Sequence, residues 1–297
     1  MKVEVEDTYA EAFKGLFTRL IVTAKNTTLL KKASYNSTAL PAVVIGRTEG
    51  GVDWWLNGKE TPDGREGSIV QFWGRYDEKN TKSLDRFYRE VSYRIRQGIL
   101  VVPTTAVFNA YDSKDKLDTM ERVGHCGDGH EWEEDYRGRH VIKVPLMMGD
   151  FIIERHIGYG VGVTGGNVWF MCETEDAALE AGRRAVEAIG NVEGAITPFD
   201  ICSAGSKPET KYPEIGPTTN HLYCPTLRSR LPDSKVPRGV NSIPEIVVNG
   251  VTLDAVKEAM RAAILSVQDV SGVMRVSAGN YGGKLGEYKI FLRELFP

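Results

Sequence analysis

The stretch GNVWFMCETEDAALEAGRRAVEAIGN, residues 166–191, decides the fold because it predicts a strand followed by an amphipathic helix. Residues 166–173 are β-branched and aromatic, as strands are. Thr174 then stands at an N-cap position, acidic residues follow it, and Gly190 ends the pattern. The apolar positions at helical spacing are Leu179, Gly182, Val186 and Ile189. With a short strand over 194–199, the stretch predicts a β-α-β unit.

The same order of elements recurs further along the chain. Residues 242–249 predict a strand, 252–268 a helix and 272–279 a returning strand. One face of this helix is formed by Leu253, Val256, Met260, Ile264 and Val267. A long polar and proline-rich stretch, about 200 to 241, connects the two units.

The first half of the chain repeats this order more loosely. Its predicted elements are a strand over 18–24, a helix around 26–34, and strands over 42–46 and 67–74, then a helix over 81–96 and a strand over 99–103. One side of the second helix is formed by Leu84, Phe87, Tyr88, Val91 and Ile95.

Two β-α-β units in each half predict an α+β fold with two lobes, residues 1–145 and 146–297. Each lobe is expected to be a ferredoxin-like split β-α-β sandwich, with helices on one face of a mostly antiparallel sheet. A doubly wound parallel sheet is the alternative. The long connections over 49–67 and 200–241 fit it poorly, because loops between parallel strands are usually short.

The composition is that of an ordinary globular protein, with 41% hydrophobic and 26% charged residues. The formal net charge of −3 gives no basis for a nucleic-acid partner or for attraction to a membrane surface. No apolar run approaches the length of a membrane span, and the acidic N-terminus lacks the apolar centre of a signal peptide. We therefore expect a cytoplasmic protein.

No metal site is predicted. The four cysteines are scattered and form no C-x-x-C pair, and the five histidines form none of the spacings that bind zinc.

Residues 277–288, SAGNYGGKLGEY, place Lys284 among four glycines and so raise the question of a phosphate site. A phosphate-binding loop requires Gly-x-x-x-x-Gly-Lys followed by Ser or Thr, with a helix opening there. Here Ala278 replaces the first glycine, Leu285 follows Lys284, and residues 287–295 alternate as a strand does. The loop is therefore either a turn between strands or a segment whose backbone N–H groups meet a flat polar heterocycle.

Glu245 is the most informative single residue. On an alternating strand it shares a face with Ile243 and Val247. If that face is buried, the pKa of the carboxyl rises toward neutrality, which suits a general acid or base. The alternative is a surface glutamate on an edge strand, which the neighbouring Pro244 would tolerate.

Six motifs together resemble a known family. In chain order they are EDTYAEAF (6–13), ETPDGREG (60–67), PTTAVFN (103–109), GGN (165–167), EIVVNG (245–250) and SAGNYGGKLG (277–286). In order and spacing they resemble the formylmethanofuran:tetrahydromethanopterin formyltransferases of methanogenic archaea and their relatives. The resemblance covers essentially the whole chain.

The resemblance implies two ferredoxin-like lobes, dimers or tetramers with a cleft at a subunit interface, and no tightly bound cofactor. Methanofuran and tetrahydromethanopterin are then the carrier substrates, and Glu245 matches the family's catalytic strand glutamate. Lys284 would meet carboxylates on the carriers' polar tails. The implied substrate-binding residues are Gly165, Gly166, Asn167, Ser206, Lys207, Asn280, Tyr281, Gly282, Gly283 and Lys284.

The match breaks at three loops. The family usually has PFPGGIVASGSK where this chain has PFDICSAGSK, residues 198–207, and residues 35–52 and 125–129 also differ. Three hypotheses follow. The chain is an active formyltransferase on methanofuran and tetrahydromethanopterin, a formyl-transferring subunit that works beside a hydrolase, or a binding protein that keeps the fold without turnover.

Overall fold

A computed structural model describes residues 2–39, 47–80, 82–207, 210–215 and 218–296. The α-helices are α1 (Thr27–Thr38), α2 (Lys82–Arg94), α3 (Glu175–Ile189) and α4 (Leu253–Ser266). The strands are β1 (Glu4–Val5), β2 (Tyr9–Thr23), β3 (Thr48–Leu56), β4 (Gly67–Arg75), β5 (Ala106–Asn109), β6 (Lys116–Asp118), β7 (Trp132–Tyr136), β8 (Arg139–Leu146), β9 (Gly149–Glu154), β10 (His156–Cys172), β11 (Ala195–Ile196), β12 (Ser206–Lys207), β13 (Thr218–Thr219), β14 (Glu245–Gly250), β15 (Val273–Ser277) and β16 (Tyr288–Phe291).

Shorter helical segments occur between these elements. One is a π-helix, Ile95–Leu100, and the 3₁₀ turns are Gly58–Glu60, Gly124–Gly127, Pro213–Ile215, His221–Tyr223, Pro225–Leu227 and Arg293–Leu295. Within the described residues, no helix is both long and apolar enough to cross a membrane.

The chain forms two compact units. The first lobe is Lys14–Gly162, and the second lobe combines Met1–Phe13 with Val163–Pro297. In the first lobe, β5, β2, β4 and β3 lie side by side in that order, and each neighbouring pair is antiparallel. Because α1 and α2 connect these strands in the order β-α-β-β-α-β, the lobe is the predicted split β-α-β sandwich.

The second lobe repeats this topology. Its strands lie in the order β15, β10, β14 and β11, again antiparallel, with α3 and α4 as the connecting helices. The N-terminal segment extends the pairing, since β1 runs parallel to β15 and the start of β2 pairs with β16. The α+β prediction is confirmed in both lobes.

Helix caps and apolar faces explain why α3 and α4 form. Thr174 and Thr252 are the N-caps, and their hydroxyls accept the N–H groups of residues 177 and 255. The predicted face of α4 is buried at Val256, Met260, Ile264 and Val267. Leu179 of α3 is an exception, because it is 60% exposed while alanines fill the buried face.

The predicted strand over 99–103 is wrong. The chain instead continues from α2 into the π-helix, and the next strand is β5. Ile95 and Ile99 are four residues apart and both buried, so the helical period of α2 persists through them. Gly98 permits this, since a Cβ there would lie 2.6 Å from the Cα of Ser37 in α1.

The predicted long connection over 49–67 is also wrong, because β3 occupies much of it. Gly50 in β3 resembles a loop glycine in sequence, yet a Cβ at this position would approach the Cα of Thr38 to 2.9 Å. The glycine therefore serves the close approach of α1 to the strand. The predicted strand over 42–46 lies outside the described residues.

Candidate active site

Strand register in the second lobe places three side chains beside one another. Glu245 of β14 lies opposite Trp169 of β10. On its other side, Glu245 exchanges two backbone hydrogen bonds with Cys202, at N···O distances of 2.8 and 2.9 Å. Residues directly opposite in antiparallel pairs point to the same face. Cys202, Glu245 and Trp169 are therefore neighbours on one face.

The helices cover the other face of this sheet. Val168 and Phe170, the residues that flank Trp169 in β10, belong to the apolar core with Val256 and Ile264 of α4. Because side chains alternate along a strand, Trp169 points away from this core. On its own face it meets Tyr223, whose ring packs edge-on against the indole at a centroid distance of 4.8 Å.

The carboxyl of Glu245 is buried, with 8% of the residue exposed. The indole N–H of Trp169 donates to its Oε1 over 2.9 Å, and the backbone bridge places Cys202 beside the carboxyl. Burial raises the pKa of Glu245, and hydrogen bonding by Trp169 and Cys202 opposes the rise without cancelling it. The surface-glutamate alternative is therefore wrong.

A cavity of about 390 Å³ adjoins this carboxyl. Its wall includes Trp169, Ile201, Cys202, Tyr223, Ile243 and Glu245. Leu179 of α3 also lines it, which explains why that leucine is not in the core. The volume falls at the lower end of the range for small-molecule sites, and the wall combines apolar side chains with polar ones.

The glycine-rich loop at 277–288 binds an anion from its own chain. The carboxylate of Glu11 accepts the backbone N–H groups of Tyr281 and Gly283 at Oε1, and those of Leu285 and Gly286 at Oε2. Glu11 is only 1% exposed. These four N–H groups are therefore already bonded to the carboxylate of Glu11, which takes the place in the loop that a phosphate would need.

The loop is also held next to the Glu245 site. The side-chain amide of Asn167 accepts the N–H of Gly279 over 2.6 Å and donates to its carbonyl over 3.2 Å. A Cβ on Gly279 would lie 2.7 Å from the indole of Trp169, so glycine permits this close approach. The structure therefore connects the predicted residue Asn167 with the start of the loop and with the indole that bonds Glu245.

Gly165 and Gly166 stand at a close packing point. The N–H of Gly165, at a φ of 84°, donates to Asn249 Oδ1 over 3.0 Å. A Cβ on Gly166 would lie 2.5 Å from a methyl group of Val256 in α4. Packing alone therefore gives a reason for glycine at residue 166.

The remaining predicted substrate-binding residues are not among the described residues that line this cavity. Asn280 donates to the Thr8 hydroxyl and the Tyr9 carbonyl, Gly282 and Gly283 have positive φ, and Lys284 is exposed. Ser206 and Lys207 form β12 and pair with β13. Among the described residues, none of 280–284 contributes to the wall next to Glu245.

Sequence reasoning missed Trp169, Cys202 and Tyr223. They come from three separate segments, and no local spacing brings them together. One signal was present, since Cys202 lies in the loop 198–207 that departs from the resembled family. Within the described part of the chain, no group of three or more His, Cys, Asp or Glu residues is arranged to hold a metal ion.

Replacing Gly166 by alanine is expected to destabilise the second lobe by about 1–3 kcal/mol, because the methyl group would overpack the contact between β10 and α4. Chemical denaturation measures this. Gly190→Ala is the matched control, since its Cβ would meet only ordinary contacts at 3.5 Å and its φ is −61°. Equal stability of both variants, with weakened carrier binding only in Gly166→Ala, would instead make Gly166 a binding residue.

The chain is a two-lobed α+β protein, and its buried carboxyl with a raised pKa at the wall of a largely apolar cavity is an arrangement typical of proteins with an acid–base site. Two family models then identify the group of proteins. Residues 1–146 match formylmethanofuran-tetrahydromethanopterin formyltransferase, and residues 149–295 match the proximal lobe of the same family. The chain belongs to the formylmethanofuran–tetrahydromethanopterin formyltransferase family.

Individual proteins agree with this over nearly the full length. A formylmethanofuran–tetrahydromethanopterin formyltransferase-like protein of Archaeoglobus fulgidus is 60% identical, over 99% of this chain and 96% of that protein. The formylmethanofuran–tetrahydromethanopterin formyltransferase of the same organism is 40% identical, over 99% of this chain and 98% of that protein. The solved formyltransferase of Methanosarcina barkeri superposes with a TM-score of 0.91 at 38% identity, covering 99% of this chain and 98% of that one.

Proposed function

We propose that this protein transfers the formyl group of formylmethanofuran to N5 of tetrahydromethanopterin, with Glu245 as the acid. The observation that carries the proposal is the buried Glu245 carboxyl, held by Trp169 at the wall of a cavity large enough for part of a small-molecule carrier. Membership of the formyltransferase family supplies the substrate class.

The reaction requires one proton to move between two nitrogens. N5 of the pterin attacks the formyl carbon, a new N–C bond forms, and the C–N bond of the formamide breaks. The expelled methanofuran amine gains a proton, and N5 loses one. A protonated Glu245 is able to give its proton to the leaving amine and then to take the proton of N5, so that it ends as it began. Burial keeps the acid protonated closer to neutral pH than a surface glutamate would be.

The proposal includes the ten carrier-binding residues predicted from the sequence, and the structure gives a physical reason for some of them only. Lys284 is exposed, so its ammonium is accessible to carboxylates on a carrier's tail. Asn167 would act through the placement of the loop and of Trp169. A cytoplasmic dimer or tetramer with the carrier cleft at a subunit interface completes the proposal, and it rests on the family resemblance.

A second candidate is the same transfer with an altered carrier. The relative at 60% identity is named formyltransferase-like, whereas the relative at 40% from the same organism carries the plain name. Residues 201–205, within the loop that departs from the resembled family, line the cavity at Glu245. A change in that wall is a physical reason for altered carrier selection.

Turnover by the purified protein tests both candidates. With formylmethanofuran and tetrahydromethanopterin, the protein is expected to release 5-formyl-tetrahydromethanopterin, with the Methanosarcina barkeri enzyme as the positive control. Product with a variant carrier alone would favour the second candidate. Binding of both carriers without any product would contradict formyl transfer and favour a binding protein.

A further inference from the structure

We propose that Cys202 is a positioning residue for Glu245, donating its S–H to the carboxylate and so sharing with Trp169 the stabilisation of the ionised acid. The inference deepens the proposed function and rests on the acid role of Glu245. It concerns the carboxylate that Glu245 becomes after it has given its proton to the leaving amine.

Backbone pairing fixes the thiol beside the carboxyl. The two hydrogen bonds between residues 202 and 245 set the register of this bridge, and both side chains then lie on the cavity face. The bridge holds the backbones of the two residues side by side, and both residues line the same cavity. The thiol and the carboxyl are therefore neighbours because of the strand pairing at this sheet edge.

The direction of the thiol hydrogen bond follows from the other contacts of the sulfur. The backbone N–H of Ala204 donates to Cys202 Sγ over 3.4 Å, so the sulfur acts there as an acceptor. Its single hydrogen remains for Glu245. The indole nitrogen of Trp169 can only donate a hydrogen bond, and it donates to Oε1 of Glu245. Two donors from opposite sides thus converge on one carboxyl group.

Within the part of the chain that the structure describes, no cationic side chain lines the cavity wall at Glu245. Besides Glu245, the titratable groups among the described residues of the cavity wall are Glu175 of α3, Cys202, Tyr223 and Cys224. Tyr223 packs on Trp169, and its pKa is raised by burial first and by Glu6 second. Because no Lys, Arg or His stands in this described wall, hydrogen bonds carry the stabilisation of an ionised Glu245.

The effect on pH dependence has a definite sign. A donor to the ionised form lowers the pKa of an acid, so its removal raises that pKa. If turnover requires protonated Glu245, activity falls as pH rises through this pKa. In Cys202→Ala this fall is expected to move to higher pH by about one unit.

Two further variants separate the hydrogen bond from packing. Cys202→Ser keeps a donor at nearly the same place, and its fall in activity should stay near that of the wild type. Cys224→Ser removes a thiol from the same cavity wall and should leave the pH of the fall unchanged. Equal shifts in Cys202→Ala and Cys202→Ser would overturn the proposal.

Alkylation of the thiol tests the contact without any carrier. An ionised Glu245 opposes formation of the thiolate at Cys202, since burial and then this carboxylate raise the thiol's pKa. At pH 8, Glu245→Gln should speed the reaction of Cys202 with iodoacetamide by about tenfold, while the rate at Cys224 stays constant. Peptide mass spectrometry distinguishes the four cysteines.

The two measurements fail independently. An unchanged alkylation rate at Cys202 in Glu245→Gln would overturn the positioning role whatever the turnover. Faster alkylation in a protein that forms no 5-formyl product would keep the thiol–carboxyl contact and contradict the formyl-transfer proposal instead. Near-native circular dichroism of each variant shows that the protein is folded.

Discussion

Glu245→Gln is expected to lower turnover by about 10²–10⁴-fold while KM for either carrier changes little, because it removes the proton that the leaving amine needs. Glutamine keeps the size of the side chain, and its carbonyl oxygen still accepts the indole N–H of Trp169. What the variant lacks is the acid. Steady-state kinetics with each carrier varied in turn measure the effect.

Measuring the stability of Glu245→Gln shows whether a loss of turnover comes from the missing acid or from a damaged fold. Since burial raises the pKa of Glu245 in the folded protein, its contribution to stability is fully present below the unfolded pKa and is lost as pH rises through the folded pKa. At and above that pH, glutamine avoids a buried charge, so Glu245→Gln should be at least as stable as the wild type. Thermal unfolding at several pH values checks this.

Glu175→Gln is the matched control, because Glu175 also lines the cavity but lies in the first turn of α3 and not beside Trp169. A much smaller loss of turnover is expected there. Equal losses in the two variants, or full turnover in Glu245→Gln, would contradict the assignment of Glu245 as the acid.

Glu11→Ala is expected to destabilise the protein by about 3 kcal/mol, because four backbone N–H groups of the glycine-rich loop would lose their acceptor. The loop over 281–286 should lose order with it, and hydrogen exchange of those amides would show this directly. Glu294→Gln, an exposed glutamate of the same lobe, is the control and should change stability by less than about 0.5 kcal/mol.

The pH dependence of this effect has the opposite sign to that of Glu245. Desolvation raises the pKa of Glu11, but the four N–H groups together outweigh it and hold the pKa below its ordinary value. The stabilisation is therefore present above the unfolded pKa and is lost as pH falls through the folded one. The difference in stability between the wild type and Glu11→Ala should shrink in acid.

Added formate provides a further check on the Glu11 site. In Glu11→Ala the loop keeps its converging N–H groups, so a small carboxylate should bind there and restore part of the stability. Formate should not stabilise the wild type in this way, because Glu11 occupies the site. No rescue, together with unchanged amide exchange at 281–286, would show that the carboxylate does not order the loop.

Local sequence patterns predicted most of the fold, because helix caps and apolar periods depend on residues only a few positions apart. Thr174 and Thr252 cap their helices as their positions in the sequence indicated, and the apolar face of α4 is buried. The errors arose at glycines, because glycine occurs both in loops and at points of close packing within strands and helices. Gly50 lies in a strand and Gly98 in a π-helix, and both are glycines because neighbouring elements, α1 in each case, pack closely against them.

The candidate site was predictable only in part. The amino-acid sequence by itself determined the element types, their β-α-β-β-α-β order in each lobe, and Glu245 as a carboxyl on an alternating strand, since periods and caps act within a few residues. Tertiary structure alone decided that Trp169 and Cys202 flank this carboxyl and that Glu11 fills the loop 270 residues or more away. Strand register and burial bring together atoms that no spacing in the chain relates, and these contacts set both the acidity of Glu245 and the occupancy of the loop.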